Sequence, residues 1–105
     1  MKVVLSARIE ADMAHQFSYG IAVHGRKTAE HTFARLDSFL NSFLSRYPRS
    51  GKKLPNGELY ECWISRTPFV VIYRVDDESE TITVLALFHH AQERTAFEAD
   101  ERKDG

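Results

Sequence analysis

Two nearly unbroken apolar runs mark the last third of the chain. Phe69 to Ser79 reads F-V-V-I-Y-R-V-D-D-E-S, and Thr81 to His90 reads T-I-T-V-L-A-L-F-H-H. Both runs are rich in β-branched residues, and one short acidic turn separates them. The pattern predicts two strands buried on both faces and joined as a hairpin. Upstream, Glu58 to Ser65 reads as a further strand. Tyr60, Cys62 and Ile64 share one face of it, and Leu59, Glu61 and Trp63 share the other. Arg66-Thr67-Pro68 is the turn into the hairpin. Val3 to Ser6 reads as a short first strand.

Between the first strand and this meander the period changes to that of a helix. From Glu10 onward, Ala14, Phe17, Ile21 and Ala22 fall on one face with Met13 at its edge, and Gly25 marks the stop. Thr28 is the expected N-cap of a second helix, although Glu30 falls one residue short of the capping-box position. In that second helix Phe33, Leu36, Leu40, Phe43, Leu44 and Tyr47 form an expected buried stripe. Arg35, Asp37, Asn41 and Arg46 lie largely off it, and Pro48 ends it. Sequential helices with a short link predict an antiparallel hairpin. Arg49 to Gly57 reads as a polar loop, and Ala96 to Lys103 as a short helix or a frayed tail.

A chain of 105 residues fits one small domain, with 43% hydrophobic and 28% charged residues. Fourteen Lys and Arg against 15 Asp and Glu leave a net charge of −1, so no overall field gathers nucleic acid. Cys62 is the only cysteine, which rules out an internal disulfide and any cysteine metal cluster and fits a reducing cytoplasm. Met1-Lys2 leads into only three apolar residues, so no leader peptide is expected. No run approaches the ~20 apolar residues of a membrane span.

The chain carries no P-loop, GxGxxG, GxSxG, HExxH or CxxC. His89-His90 is the best acid–base pair, because imidazole exchanges protons near neutral pH. Adjacent strand positions face opposite ways, however, so the two rings diverge. Arg66, Arg74 and Arg94 are candidate phosphate ligands, with solvated charge as the plainer reading, and Arg74 is expected to pair with Asp76 or Asp77. Trp63 is either core or, if the helices leave its face open, part of a partner surface. Cys62 reads as a small core residue, Lys52-Lys53 as solvated, and His15, His24 and His31 as surface positions too scattered for metal.

The order β-α-α-β-β-β resembles the toxin family shared by the RelE and ParE proteins of bacterial toxin–antitoxin operons. The resemblance spans roughly residues 3 to 97. It rests on F-L-x-R-Y-P-x-S-G ending at Gly51, L-Y-E-C-W-I, F-V-V-I-Y-R-V, and the closing V-L-A-L-F-H-H-A-Q-E-R. It implies one α+β domain over residues 1–105, an antiparallel sheet with a helical hairpin on one face, and a tail over 98–105. The RelE branch comprises ribosome-dependent mRNA endonucleases with an Arg where this chain has Val70. If this chain were one, its catalytic set would be His89, His90, Arg94, Arg74 and Arg66. The ParE branch, with an apolar residue at the Val70 position and an L-x-H ending, is the nearer one, and its members poison DNA gyrase without cutting RNA. The resemblance thus implies a cytoplasmic toxin, oligomeric through a cognate antitoxin, that inhibits gyrase by binding and needs no cofactor or metal. Trp63, Arg66, His89, His90, Arg94 and Phe97 are its candidate contact residues. A ribosome-dependent endonuclease acting on mRNA, and a homologue that only binds antitoxin, are the alternatives.

Overall fold

The computed structural model describes residues 1–55 and 57–89. In order these form β1 (Lys2–Leu5), α1 (Ala7–His24), α2 (Arg26–Ser38), a π turn (Phe39–Phe43), α3 (Leu44–Arg46), β2 (Lys52–Lys53), β3 (Leu59–Trp63), β4 (Phe69–Asp76) and β5 (Thr81–His89). One sheet holds all five strands in the order β1-β5-β4-β3-β2. The α+β architecture expected from sequence is present, with the helical hairpin on one face of the meander. Two details refine it. β1 lies parallel to β5, with Val3 opposite Ile82, so the sheet is mixed. Lys52 and Lys53, exposed as expected, pair with Glu61 and Tyr60 as a short edge strand.

Ser6 links the first two elements. Its hydroxyl accepts from the Ile9 N–H at 3.3 Å, capping α1, and its own N–H donates to Val84 O at 3.1 Å. The helix therefore starts at Ala7, ahead of the expected Glu10. Its inward face runs through Ile9, Met13, Gln16 and Phe17, which leaves Ala14 and Ala22 exposed. The sequence reading missed this rotation because it began the helix one turn late. Gly25, at φ 90°, makes the turn between the helices, a conformation open to glycine. α2 starts directly after it at Arg26, so Thr28 is not the cap.

The second helical segment departs from the expected stripe. Leu36, Leu40 and Leu44 are buried, but Phe43 is 44% and Tyr47 54% exposed. The π turn from Phe39 to Phe43 is the cause. A π turn holds an extra residue, so every later side chain is rotated relative to an α-helix. Leu44 takes the inward place, and Phe43 and Tyr47 swing out.

The helices cover the sheet face that carries Ile64, Phe69, Val71, Tyr73, Val75, Ile82, Val84 and Leu87. Ile72, Ala86 and Phe88, flanked by Leu54 and Leu59, form a second cluster on the opposite face. β5 changes parity between these sets. The pairing of Tyr73 with Val84 and of Ile72 with Ala86 leaves Leu85 as an extra residue, a bulge. The Ser6 hydroxyl donates to the Leu85 carbonyl at 3.4 Å. Beyond the bulge the odd positions, Leu87 and His89, face the helices.

Among the described residues, no helix is long and apolar enough to cross a membrane. The expected tail over residues 98–105, and the Ala96 to Lys103 segment, lie outside the described residues.

Candidate functional site

Of the residues singled out from sequence, Trp63, Arg66, Arg74 and His89 are described; His90, Arg94 and Phe97 lie outside the described residues. The fold does not gather the four. Arg66 sits in the β3–β4 turn, whereas Arg74 stands near the other end of β4, opposite Leu59 and Thr83. Five residues of strand separate Phe69 from Arg74, roughly 17 Å. Arg74 is exposed and makes no ion pair with Asp76 or Asp77, against the expected local pairing. Asp76 instead accepts from the Glu78 N–H at 3.0 Å in the β4–β5 turn, and Asp77 accepts from Arg49 at 2.6 Å.

His89 ends β5 opposite Phe69, its ring edge-on to the Phe69 ring at 6.3 Å. It borders a cavity of about 230 Å³ between the helical hairpin and the sheet. Gln16, Tyr19, His24, Thr28 and Thr32 supply the other polar groups there, and Phe33 and Phe69 much of the apolar wall. Among the described residues, no Arg or Lys lines it.

The positive charge that does gather is elsewhere. An open groove of about 490 Å³ runs between the outer flank of the α2–α3 segment and the β3–β4 turn. Arg35, Arg46 and Arg66 line it, with Phe39, Phe43, Tyr47 and the small Ser38 and Ser42. The three aromatic rings form a continuous row: Phe39 stacks on Phe43 at 5.4 Å, and Phe43 meets Tyr47 at 5.1 Å. Arg66 adopts φ 64°, the left-handed region, uncommon for a non-glycine residue. Thr67 fixes that turn, its hydroxyl donating to Ile64 O at 2.9 Å and accepting from the Phe69 N–H at 3.2 Å. Among the described residues, no His, Asp or Glu lines the groove. Sequence reasoning put Phe43 and Tyr47 in the core and Arg35 and Arg46 in solvent, so it missed this site. The recurrence of aromatics at 39, 43 and 47 was the available signal.

Trp63 lies on the sheet face away from the helices and is 54% exposed, so it is not core. Its indole N–H donates to Glu61 Oε1 at 3.2 Å. Cys62 faces the helix side and is partly buried; burial pushes its thiol up, and a hydrogen bond with Ser50 offsets this in part. A thiol held protonated is a poor nucleophile, in keeping with a packing role. Among the described residues, no group of three or more His, Cys, Asp or Glu could hold a metal ion.

Residues 3–94 match the model of a family described as the ParE toxin of the type II toxin–antitoxin system parDE. Similar solved structures include the chromosomal ParDE toxin–antitoxin system from P. aeruginosa. That match has a TM-score of 0.67 and 14% identity, and covers 85% of this chain and 95% of the other. The RelBE2 toxin–antitoxin complex from Mycobacterium tuberculosis is similar too, with a TM-score of 0.62 and 23% identity, covering 84% of this chain and 95% of the other. At these identities the structures bear on the fold alone. No curated protein matches the chain. The family match covers nearly the whole meander and both helices, and it accords with the order of elements: the chain belongs to the ParE toxin family of type II toxin–antitoxin systems.

Proposed function

We propose that this toxin inhibits DNA gyrase by binding it, without cutting RNA, and that a cognate antitoxin neutralises it. The observation that carries the reading is a separation. Metal-free RNA cleavage needs an acid and a base at the same phosphate that the cations hold. Among the described residues, His89 borders a cavity with no Arg or Lys, and the clustered arginines line a groove with no His, Asp or Glu. Val70, where a RelE-like Arg would stand, is fully buried between β3 and β5. Inhibition by binding asks only for surface, and exposed Trp63, Phe43 and Tyr47 offer it.

Two assays on one preparation test this. Gyrase supercoiling is expected to fall as the protein is added, while mRNA on translating ribosomes stays intact. Ribosome-dependent cleavage lost in His89→Ala, with supercoiling untouched, would promote the endonuclease reading. Normal growth on expression, with neither activity present, would leave a homologue that only binds antitoxin.

A further inference from the structure

Among the described residues, the groove between the α2–α3 flank and the β3–β4 turn gathers cations and aromatic rings but no carboxylate or imidazole. We infer that it holds single-stranded DNA without sequence preference, phosphates on Arg35, Arg46 and Arg66 and bases on the Phe39-Phe43-Tyr47 row. The inference deepens the gyrase reading, and rests on it only for the source of the strand, the DNA on which that enzyme acts. With no acid or base in the groove, the strand is held and not cut.

Charge is the first support. The three arginines are exposed, and none forms an ion pair among the described residues. Arg8, Arg26 and Arg49, by contrast, all pair with carboxylates. A guanidinium matches a phosphate by two parallel hydrogen bonds. Ser38, Ser42 and Ser65 set hydroxyls along the same groove, and hydroxyls are regular partners of phosphate oxygens. A phosphodiester backbone presents acceptors only, and every polar side chain on these walls can donate.

Shape is the second. The π turn rotates Phe43 and Tyr47 out of the core, and both remain half exposed, with ring face available for a base to stack on. Arg35 and Arg46 stand roughly 16 Å apart along the helical flank. At the stacked rise of ~3.4 Å per nucleotide that is a run of about five. Arg66 faces them from the far wall, its left-handed turn fixed by Thr67. A strand laid along the rings therefore meets cations at both ends and from the side.

An acidic peptide would meet the same cations, but the rings tell against it. They abut one another at 5.4 and 5.1 Å and leave no socket between them for an aliphatic side chain. A base needs only a flat face, and a duplex hides its base faces in its own stack, so the strand must be single. The overall charge of −1 gives no long-range attraction. Binding is accordingly expected to be weak and local, suited to DNA that the target enzyme has already brought close.

The test is fluorescence anisotropy of labelled decathymidine titrated with the full chain. Three phosphate contacts predict a slope of log affinity against log salt of about −2, falling to about −0.7 in Arg35→Gln combined with Arg46→Gln. An abasic strand of the same length and charge, and the decathymidine duplexed with its complement, should each bind at least about fivefold more weakly, because neither can stack. Phe43→Ser combined with Tyr47→Ser should erase the difference from the abasic strand. No binding with protein at about 0.1 mM in low salt, a flat salt dependence, or equal affinity for the abasic strand would each overturn the inference. So would an unchanged slope in the double arginine variant. Tighter binding of a polyglutamate of equal charge would mark a protein groove instead, and a tenfold preference for decauridine would assign the site to RNA. The comparison of probes on the wild-type chain needs no variant to fold. Supercoiling untouched by the protein would count against the gyrase reading and leave these titrations standing. Supercoiling inhibited by a chain that fails to hold decathymidine would keep that reading and sink this one.

Discussion

Gly51 shows how one residue sets the local structure. Its N–H donates to the Tyr73 hydroxyl at 3.1 Å, tying the loop after α3 to the middle of the sheet. A Cβ there would stand 2.7 Å from Glu61 O and 2.8 Å from the Tyr73 hydroxyl, with backbone unable to yield. Gly51→Ala is expected to cost about 1–3 kcal/mol, read as a fall in thermal midpoint. Tyr73 is fully buried and stacks on Tyr60 at 5.4 Å. Removing its hydroxyl in Tyr73→Phe strands the Gly51 N–H, at about 1–3 kcal/mol. Burial pushes the Tyr73 phenol above its ordinary value, with the Gly51 hydrogen bond pulling the other way. The folded state thus holds this proton more tightly than the unfolded chain. The corresponding stability is complete below about pH 10 and is lost as pH rises through the raised folded value. A melting series in alkali should fall more steeply for the parent than for Tyr73→Phe; parallel curves would exclude this linkage.

At the scale of the element, the second helical segment makes a sharp contrast available. Leu40 and Phe43 both belong to the apolar stripe expected from spacing, yet only Leu40 is buried. Leu40→Ala should cost ~2–5 kcal/mol. Phe43→Ala should cost under about 1 kcal/mol, since it loses two half-exposed ring contacts, with Phe39 and Tyr47, and opens no cavity. Chemical denaturation of the two variants checks the π turn directly: similar losses would mean a regular α-helix through this segment. Ser6 is the comparable joint at the start of the chain. Its hydroxyl caps α1 and reaches the bulged Leu85 carbonyl. Ser6→Ala is expected to cost about 1 kcal/mol, at the level of a lost N-cap.

For the whole molecule, stability is concentrated in the sheet's centre. β4 and β5 are flanked on both sides by other strands and hold most of the buried residues, whereas β2 is a two-residue edge. Native-state hydrogen exchange should find Val71, Tyr73 and Val84 opening only with global unfolding, and Lys52 and Lys53 exchanging by local opening. Uniform protection across the sheet would contradict that gradient. The Arg49–Asp77 pair ties the loop after α3 to the β4–β5 turn. The Arg49 hydrogen bond holds the Asp77 carboxyl below its ordinary value. Its contribution is therefore present above the ordinary carboxylate range, about pH 4, and fades as pH falls through the lowered value. Both side chains are half exposed or more, so solvent screening keeps the effect small.

Much of this architecture was legible because buried periodicity is a local property. The two apolar runs, the alternation of Tyr60, Cys62 and Ile64, the Gly25 stop and the Leu36-Leu40-Leu44 ridge can each be read from neighbours a few positions away. So could the order of elements that ties the chain to its family. What sequence left open depends on contacts between distant segments. Lys2–Leu5 pair with Thr81–Val84 across nearly the whole chain, and no local pattern announces parallel pairing. One extra residue at Leu85 decides that His89 faces the helices, because a single-residue shift exchanges the two faces of a strand. One π turn decides that Phe43 and Tyr47 leave the core and join Arg35, Arg46 and Arg66 in a groove. The residue types were in the sequence. Their faces were fixed by a bulge and a π turn that packing imposes, and those only the folded chain displays.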